Sequence, residues 1–178
     1  MRELTDARAA HKYIRRAVAV ANFDGWSIAV FAFLNCLCGF TDLTSMIVGL
    51  AMGAMAFVEI RGASQLRRLD ETAPRRLGFN QVLLGMLLCA YAVWQIYQYL
   101  HAPSALAAVT QADPRVGKRF EDMFRSLAVA LYGSLIIFAI VAQGGAALFY
   151  FTREKYIRTY RQRTPAWIIQ MQQAGVMV

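Results

Sequence analysis

A chain of 178 residues is short for two soluble domains, yet 58% of it is hydrophobic and 17% charged, against roughly 45–50% apolar and about 25% charged in ordinary globular domains. That mismatch excludes a cytosolic enzyme and gives most of the chain to hydrocarbon. The 19 Lys and Arg against 11 Asp and Glu, a net charge of +8, would suit nucleic acid in a soluble chain; beside lipid they read as cytoplasmic flanks attracted to anionic headgroups, so no nucleic-acid partner is expected.

Residues 1–25 form a basic cytoplasmic segment. Within it, Tyr13, Ala17, Val20 and Ala21 fall near one side of a helix, and Lys12, Arg15 and Arg16 on another. This reads either as an interfacial helix lying on headgroups or as a polar extension of the first span. Asp24 and Gly25 mark a bend into the membrane.

Four apolar blocks, numbered in chain order, each read as a span; the first two form a transmembrane hairpin over 26–58, with spans at 26–40 and 43–58. At about 15 residues and about 1.5 Å per residue each span reaches only roughly 23 Å. Such a hairpin either thins the bilayer or is re-entrant, with Thr41, Asp42 and Thr44 at its tip. A signal peptide fits block one poorly: the leading segment is long, small residues are missing at the cleavage position, and a second apolar block follows at once. In that second block Ser45, Gly49 and Gly53 recur every four residues and predict a flat helix-packing face. Glu59 directly follows the block and reads as an interfacial charge satisfied by Arg61 or Arg67, or else as a ligand for a substrate cation.

The basic loop 59–80 is rich in helix formers to Leu69, is broken at 70–74, and restarts at Arg75 and Arg76. The third span covers 81–100, and His101 at its end reads as an interfacial polar tip. In the extracytoplasmic loop 101–126, a short helix is expected at 104–110, interrupted by Asp113 and Pro114. Phe120, Met123, Phe124 and Leu127 then recur at helical spacing, so the fourth span, 127–152, starts early and runs on through Tyr160 as one helix of about 40 residues. Gly144 and Gly145 lie in a second small-residue surface.

In the tail 153–178, Arg153, Lys155, Arg158, Arg161 and Arg163 alternate with aromatics and are assigned, with Trp167, to lipid headgroups. Thr164 is the expected cap and Pro165 the first residue of a final helix lying flat on the inner leaflet and closing near Gly175.

All 19 basic residues lie outside the apolar blocks. Five precede block one, none separates blocks one and two, five separate two and three, four separate three and four, and five follow. This alternation assigns both termini and the middle loop to the cytoplasm, with a bacterial inner membrane as the setting.

A search for chemistry finds little. Cys36 and Cys38 point about 200° apart on a helix. His11 and His101 belong to opposite faces, so no metal site is expected; Cys89 is isolated, and three cysteines make no disulfide framework. Phosphate-loop, dinucleotide, GxSxG and HExxH patterns are absent, so neither catalytic residues nor a cofactor is assigned. The amides Asn35, Gln95 and Gln143 are expected to face the bundle and bond across helices. With Glu59 and Tyr91 they outline a polar cavity, or simply interhelical glue.

The expected fold is thus an all-α integral membrane protein with four transmembrane helices, the first two a short hairpin and the fourth long, and interfacial amphipathic helices at both termini. The expected function is a non-enzymatic structural or accessory membrane subunit. Its partners would be anionic lipid and either a second copy or another membrane protein. The alternatives are a small oligomeric transporter or channel and, further off, an intramembrane lipid-modifying enzyme.

Overall fold

A computed structural model describes residues 2–39, 42–101 and 114–173. Among these every regular element is an α-helix: α1 Arg2–Cys38, α2 Leu43–Arg67, α3 Ala73–His101, α4 Pro114–Arg163 and α5 Ala166–Gln173. Each of the first four contains a stretch long and apolar enough to cross a membrane. The short helix expected at 104–110, the hairpin tip at Thr41 and the helix stop near Gly175 lie outside the described residues.

The helices of the first hairpin run beyond its apolar blocks: α1 is helical over the 27 residues Lys12–Cys38 and α2 over the 25 residues Leu43–Arg67, and each contains an 18-residue stretch apolar enough to cross a membrane. The helix is not broken at Asp24 and Gly25; α1 continues through both. The reason is visible in its burial. Ile14, Ala17, Val18, Ala21, Gly25, Ile28 and Ala32 are all buried, a stripe at three- and four-residue spacing that continues across the expected break. Residues 2–25 are therefore continuous with the rest of α1 and form no separate helix. Gly25 serves close approach instead of turning: a Cβ there would meet Ile60 Cγ1 at 2.8 Å and the Ile60 backbone nitrogen at 3.2 Å.

The chain forms two compact units, residues 1–84 with 144–178, and residues 85–143. In the first, α1 and α2 pack along the Gly49 face, where a Cβ would meet Cys36 Sγ at 2.7 Å and Ala32 O at 3.0 Å. Asp42 caps α2, accepting from the Thr44 and Ser45 backbone N–H groups at 3.1 and 2.9 Å. Those bonds, led by the Ser45 hydroxyl at 2.6 Å, hold the Asp42 carboxyl below the usual carboxylate range.

The turn from α2 to α3 closes as a Schellman motif, with Asp70 N donating to Gln65 O and Leu69 N to Leu66 O. Position 69 has φ 60°, normally a glycine site, yet holds leucine. Its side chain is 1% exposed and joins Leu66, Ala73 and Leu77 in the core. Burying a leucine gains about 1.5–3 kcal/mol, which offsets the roughly 1–2 kcal/mol of a left-handed backbone. Asp70 then accepts from Thr72, whose backbone N–H leads in holding that carboxyl below its ordinary value.

Tyr150, Ile157 and Tyr160 of α4 complete this core, and α5 adds to the unit through buried Ile168 and partly buried Ile169. Pro165, not Thr164, precedes the first helical residue of α5, and its carbonyl accepts from Ile168 and Ile169.

In the second unit α3 and α4 meet along small residues, with Ala92, Ala128 and Ala139 buried. A Cβ on Gly85 would meet Gln143 Cβ at 3.2 Å. Tyr132 stacks edge-on against Tyr91, with centroids 6.2 Å apart, and tilts toward Tyr99 at 6.1 Å.

Candidate functional site

The chain runs up and down through its first unit, so the start of one span and the end of the next fall at one level. At that level four helices each contribute a polar side chain: Asp24 from α1, Glu59 from α2, Asn80 and Gln81 from α3, and Tyr150 from α4. Glu59, Gln81 and Tyr150 are fully buried, Asn80 is 5% exposed, and Asp24 is half-buried.

The hydrogen bonds consume every amide N–H of the cluster. Gln81 Nε2 donates to Asp24 Oδ2 and, at 3.0 Å, to Glu59 Oε1. Asn80 Nδ2 donates to Glu59 Oε2 at 2.7 Å and to the Met55 carbonyl at 3.1 Å. One amide thus bridges two carboxylates. Among the described residues neither the buried Tyr150 hydroxyl, which lies beside Glu59, nor the buried Gln81 Oε1 has a hydrogen-bond partner of good geometry.

No Lys or Arg among the described residues pairs with Glu59, so the expected ion pair with Arg61 or Arg67 is not formed. Glu59 points inward while Arg61, two residues on, is exposed, since residues two apart on a helix do not share a face, and exposed Arg67 lies eight residues on, about 12 Å along the helix axis. Buried carboxylates facing amides need a positive charge to balance them, and the described residues supply none. Chemically the cluster is suited to hold a proton or a cation. No group of three His, Cys, Asp or Glu suitable for a metal occurs among the described residues.

Of the expected cavity residues, only Glu59 belongs to this cluster. Half-buried Asn35 donates to the Phe31 carbonyl of its own helix at 2.9 Å, and Gln95 donates to Tyr91 one turn back at 2.9 Å. Both amides are satisfied locally, and neither bond crosses between helices, because a side chain one turn on reaches the preceding turn at no packing cost. Gln143 packs its stem against Gly85.

Among the expected packing positions, Gly49 is in tight contact, Gly53 meets only Ala32 Cβ at 3.9 Å, and Ser45 bonds to Asp42. At Gly144 and Gly145 no described residue stands within 4 Å of where a Cβ would be.

The expected headgroup residues divide similarly. Arg153 is half-buried among Phe149, Tyr156 and Tyr13, its guanidinium 4.5, 5.3 and 5.8 Å from their ring centres. Arg161 pairs with Glu71 at 3.1 Å. Lys155, Arg158 and Trp167 are exposed, and the Arg163 side chain lies outside the described ones.

Asp24, Asn80, Gln81 and Tyr150 were not singled out as site residues in the sequence. Their signal was positional: each borders an apolar block at the end that the alternating direction of the spans brings to one level. Comparison with protein-family models, with curated proteins and with solved structures finds no match to this chain.

Proposed function

We propose that the chain is an integral membrane protein of a bacterial inner membrane, with residues 1–25, 59–80 and 153–178 on the cytoplasmic side, acting as a structural or accessory subunit. The observation that carries this reading is the narrow seam of the α3–α4 unit. Ala139 is fully buried, while Ile137, Phe138, Ile140 and Val141 around it are 62–70% exposed. Apolar surface open on both sides of so thin a seam suits lipid on one side and another apolar helix on the other. The packing of Gln143 against Gly85 further supports a closed seam over an aqueous vestibule at that point. On this reading the buried carboxylate–amide cluster fixes the register of the four helices, a role buried polar groups fill at a cost in stability.

The cluster also favours a second reading, a small oligomeric transporter that loads a proton or cation between Asp24 and Glu59. Two measurements decide between them. Under the subunit reading, solubilisation in mild detergent retains a stoichiometric membrane partner or a second copy, and purified protein in liposomes carries no proton or alkali-cation flux. Flux that Glu59→Gln abolishes, with the helical fold intact, would replace the first reading by the second.

A further inference from the structure

Between α2 and α3 lies a half-open groove of about 230 Å³, on the outside of the helices that hold Glu59 inward. Its lining changes character along α2. Phe57 and Val58 make one end, Leu77 of α3 forms the wall, and Arg61, Gln65 and Arg76 make the other end. Both arginines are exposed, no acid lines the groove, and neither arginine forms an ion pair among the described residues. Asp70 acts electrostatically on Arg76, but its carboxylate is occupied by Thr72. Glu59, two residues from Arg61, is occupied by Asn80 and Gln81.

An apolar end that passes into two free guanidiniums and an amide matches one common molecule of its setting. We infer that this groove is a binding site for the headgroup phosphate of an anionic phospholipid of the cytoplasmic leaflet, with the acyl chain leaving past Phe57 and Val58. Arg61 and Arg76 present planar forks suited to phosphate oxygens, and Gln65 adds an amide donor. The volume is below the roughly 300–1,000 Å³ of pockets that enclose whole drug-sized ligands, as fits a site that grips a phosphate and glycerol and leaves the chains in the bilayer. Basic pockets between helices at the cytoplasmic surface recognise lipid headgroups by this chemistry. The inference rests on the membrane orientation proposed above and adds to it one defined site in place of a diffuse basic surface.

The test is the thermal stabilisation of purified full-length protein in neutral detergent, titrated with phosphatidylglycerol, phosphatidylcholine or inorganic phosphate. Phosphatidylglycerol is expected to raise the melting temperature saturably, and the other two are expected to leave it unchanged. Arg61→Gln with Arg76→Gln should raise the half-saturating phosphatidylglycerol at least tenfold over the control pair Arg15→Gln with Arg16→Gln, which removes the same charge from exposed positions of α1. Val58→Trp, which fills the apolar end without changing charge, should weaken the effect as well.

Equal losses in the groove and control pairs would overturn the site in favour of diffuse attraction. Full stabilisation by inorganic phosphate would overturn the lipid in favour of a free phosphate. Failure of the membrane reading itself would show separately, as protein released from membranes by alkaline carbonate without detergent.

Discussion

The bond between Asp24 and Gln81 joins α1 to α3, and its loss should be felt through Glu59 on α2, because one amide nitrogen serves both carboxylates. Replacing Gln81 by Leu keeps the volume and removes two hydrogen bonds to charged or chargeable groups. At about 1.5–3 kcal/mol for each bond of that kind, the variant should lose about 3–6 kcal/mol. Asp24→Ala removes one acceptor and leaves one Gln81 N–H without its partner, a cost of about 1–3 kcal/mol. When both changes are combined, Asp24 is no longer stranded and the leucine strands only Glu59, which keeps Asn80. The double variant should therefore be more stable than the sum of the singles by about 1–3 kcal/mol, the usual range for contacting residues. Equilibrium unfolding in one fixed detergent, followed by far-UV circular dichroism and tryptophan fluorescence, measures all four corners of the cycle. Asp24→Ala combined with Asn35→Ala is the control, since Asn35 bonds only to its own helix. Additivity of the Asp24 and Gln81 changes within about 0.5 kcal/mol, as for independent sites, would refute the bridge from α1 to α3.

Three further outcomes follow from the packing and caps. Gly49→Ala should destabilise by about 1–3 kcal/mol, because its Cβ would meet Cys36 and the Ala32 backbone; Gly53→Ala should be neutral or stabilise by up to about 1 kcal/mol, its only neighbour being Ala32 Cβ at 3.9 Å. Thermal melts of the two variants read this directly, and equal losses would contradict it. At Leu69, Gly and Ala variants should have nearly equal stability, because relief of the φ of 60° compensates glycine's other losses. At helical Leu66 the glycine variant should be worse than the alanine by about 1.5–2 kcal/mol, so the same Gly–Ala gap at both positions would dispose of the left-handed turn. Asp42 has its folded-state carboxyl held below the ordinary value of 3.8. Its cap is therefore fully formed above that value and lost as pH falls through the lower, folded one. Wild type should exceed Asp42→Ala in stability at pH 7, with the gap narrowing only below about pH 4, near an unperturbed aspartate; a gap independent of pH would remove the carboxylate from the cap.

Hydropathy alone was enough to expect four apolar helices and a fourth that begins before its span and outlasts it, because these depend on composition summed over many residues; it made the helices of the first hairpin too short, because their ends carry the polar residues that a window reads as flanks. The continuity of α1 was less legible. Asp24 and Gly25 are turn formers by local preference, and only the three- and four-residue spacing of Ile14, Ala17, Ala21, Ile28 and Ala32 on both sides of them argues for one helix. Tertiary contacts decided the matter: Gly25 is needed for the approach of Ile60, and Asp24 is bound by Gln81, a residue 57 positions away. The same competition misdirected the polar residues. Asn35 and Gln95 lie deepest in their apolar runs and so attract attention as interhelical glue, yet each has a partner one turn back. The residues that do join helices sit at block ends, where a hydropathy window reads them as flanks. What makes them a site is connectivity: an up-down chain returns Asp24, Glu59, Gln81 and Tyr150 to one level, Arg61 is kept from Glu59 by helical geometry, and Arg67 lies about two turns beyond it. A carboxylate two residues from an arginine looks neutralised in one dimension. On a helix it faces away, and in this protein it takes amide partners instead, leaving Arg61 free at the surface.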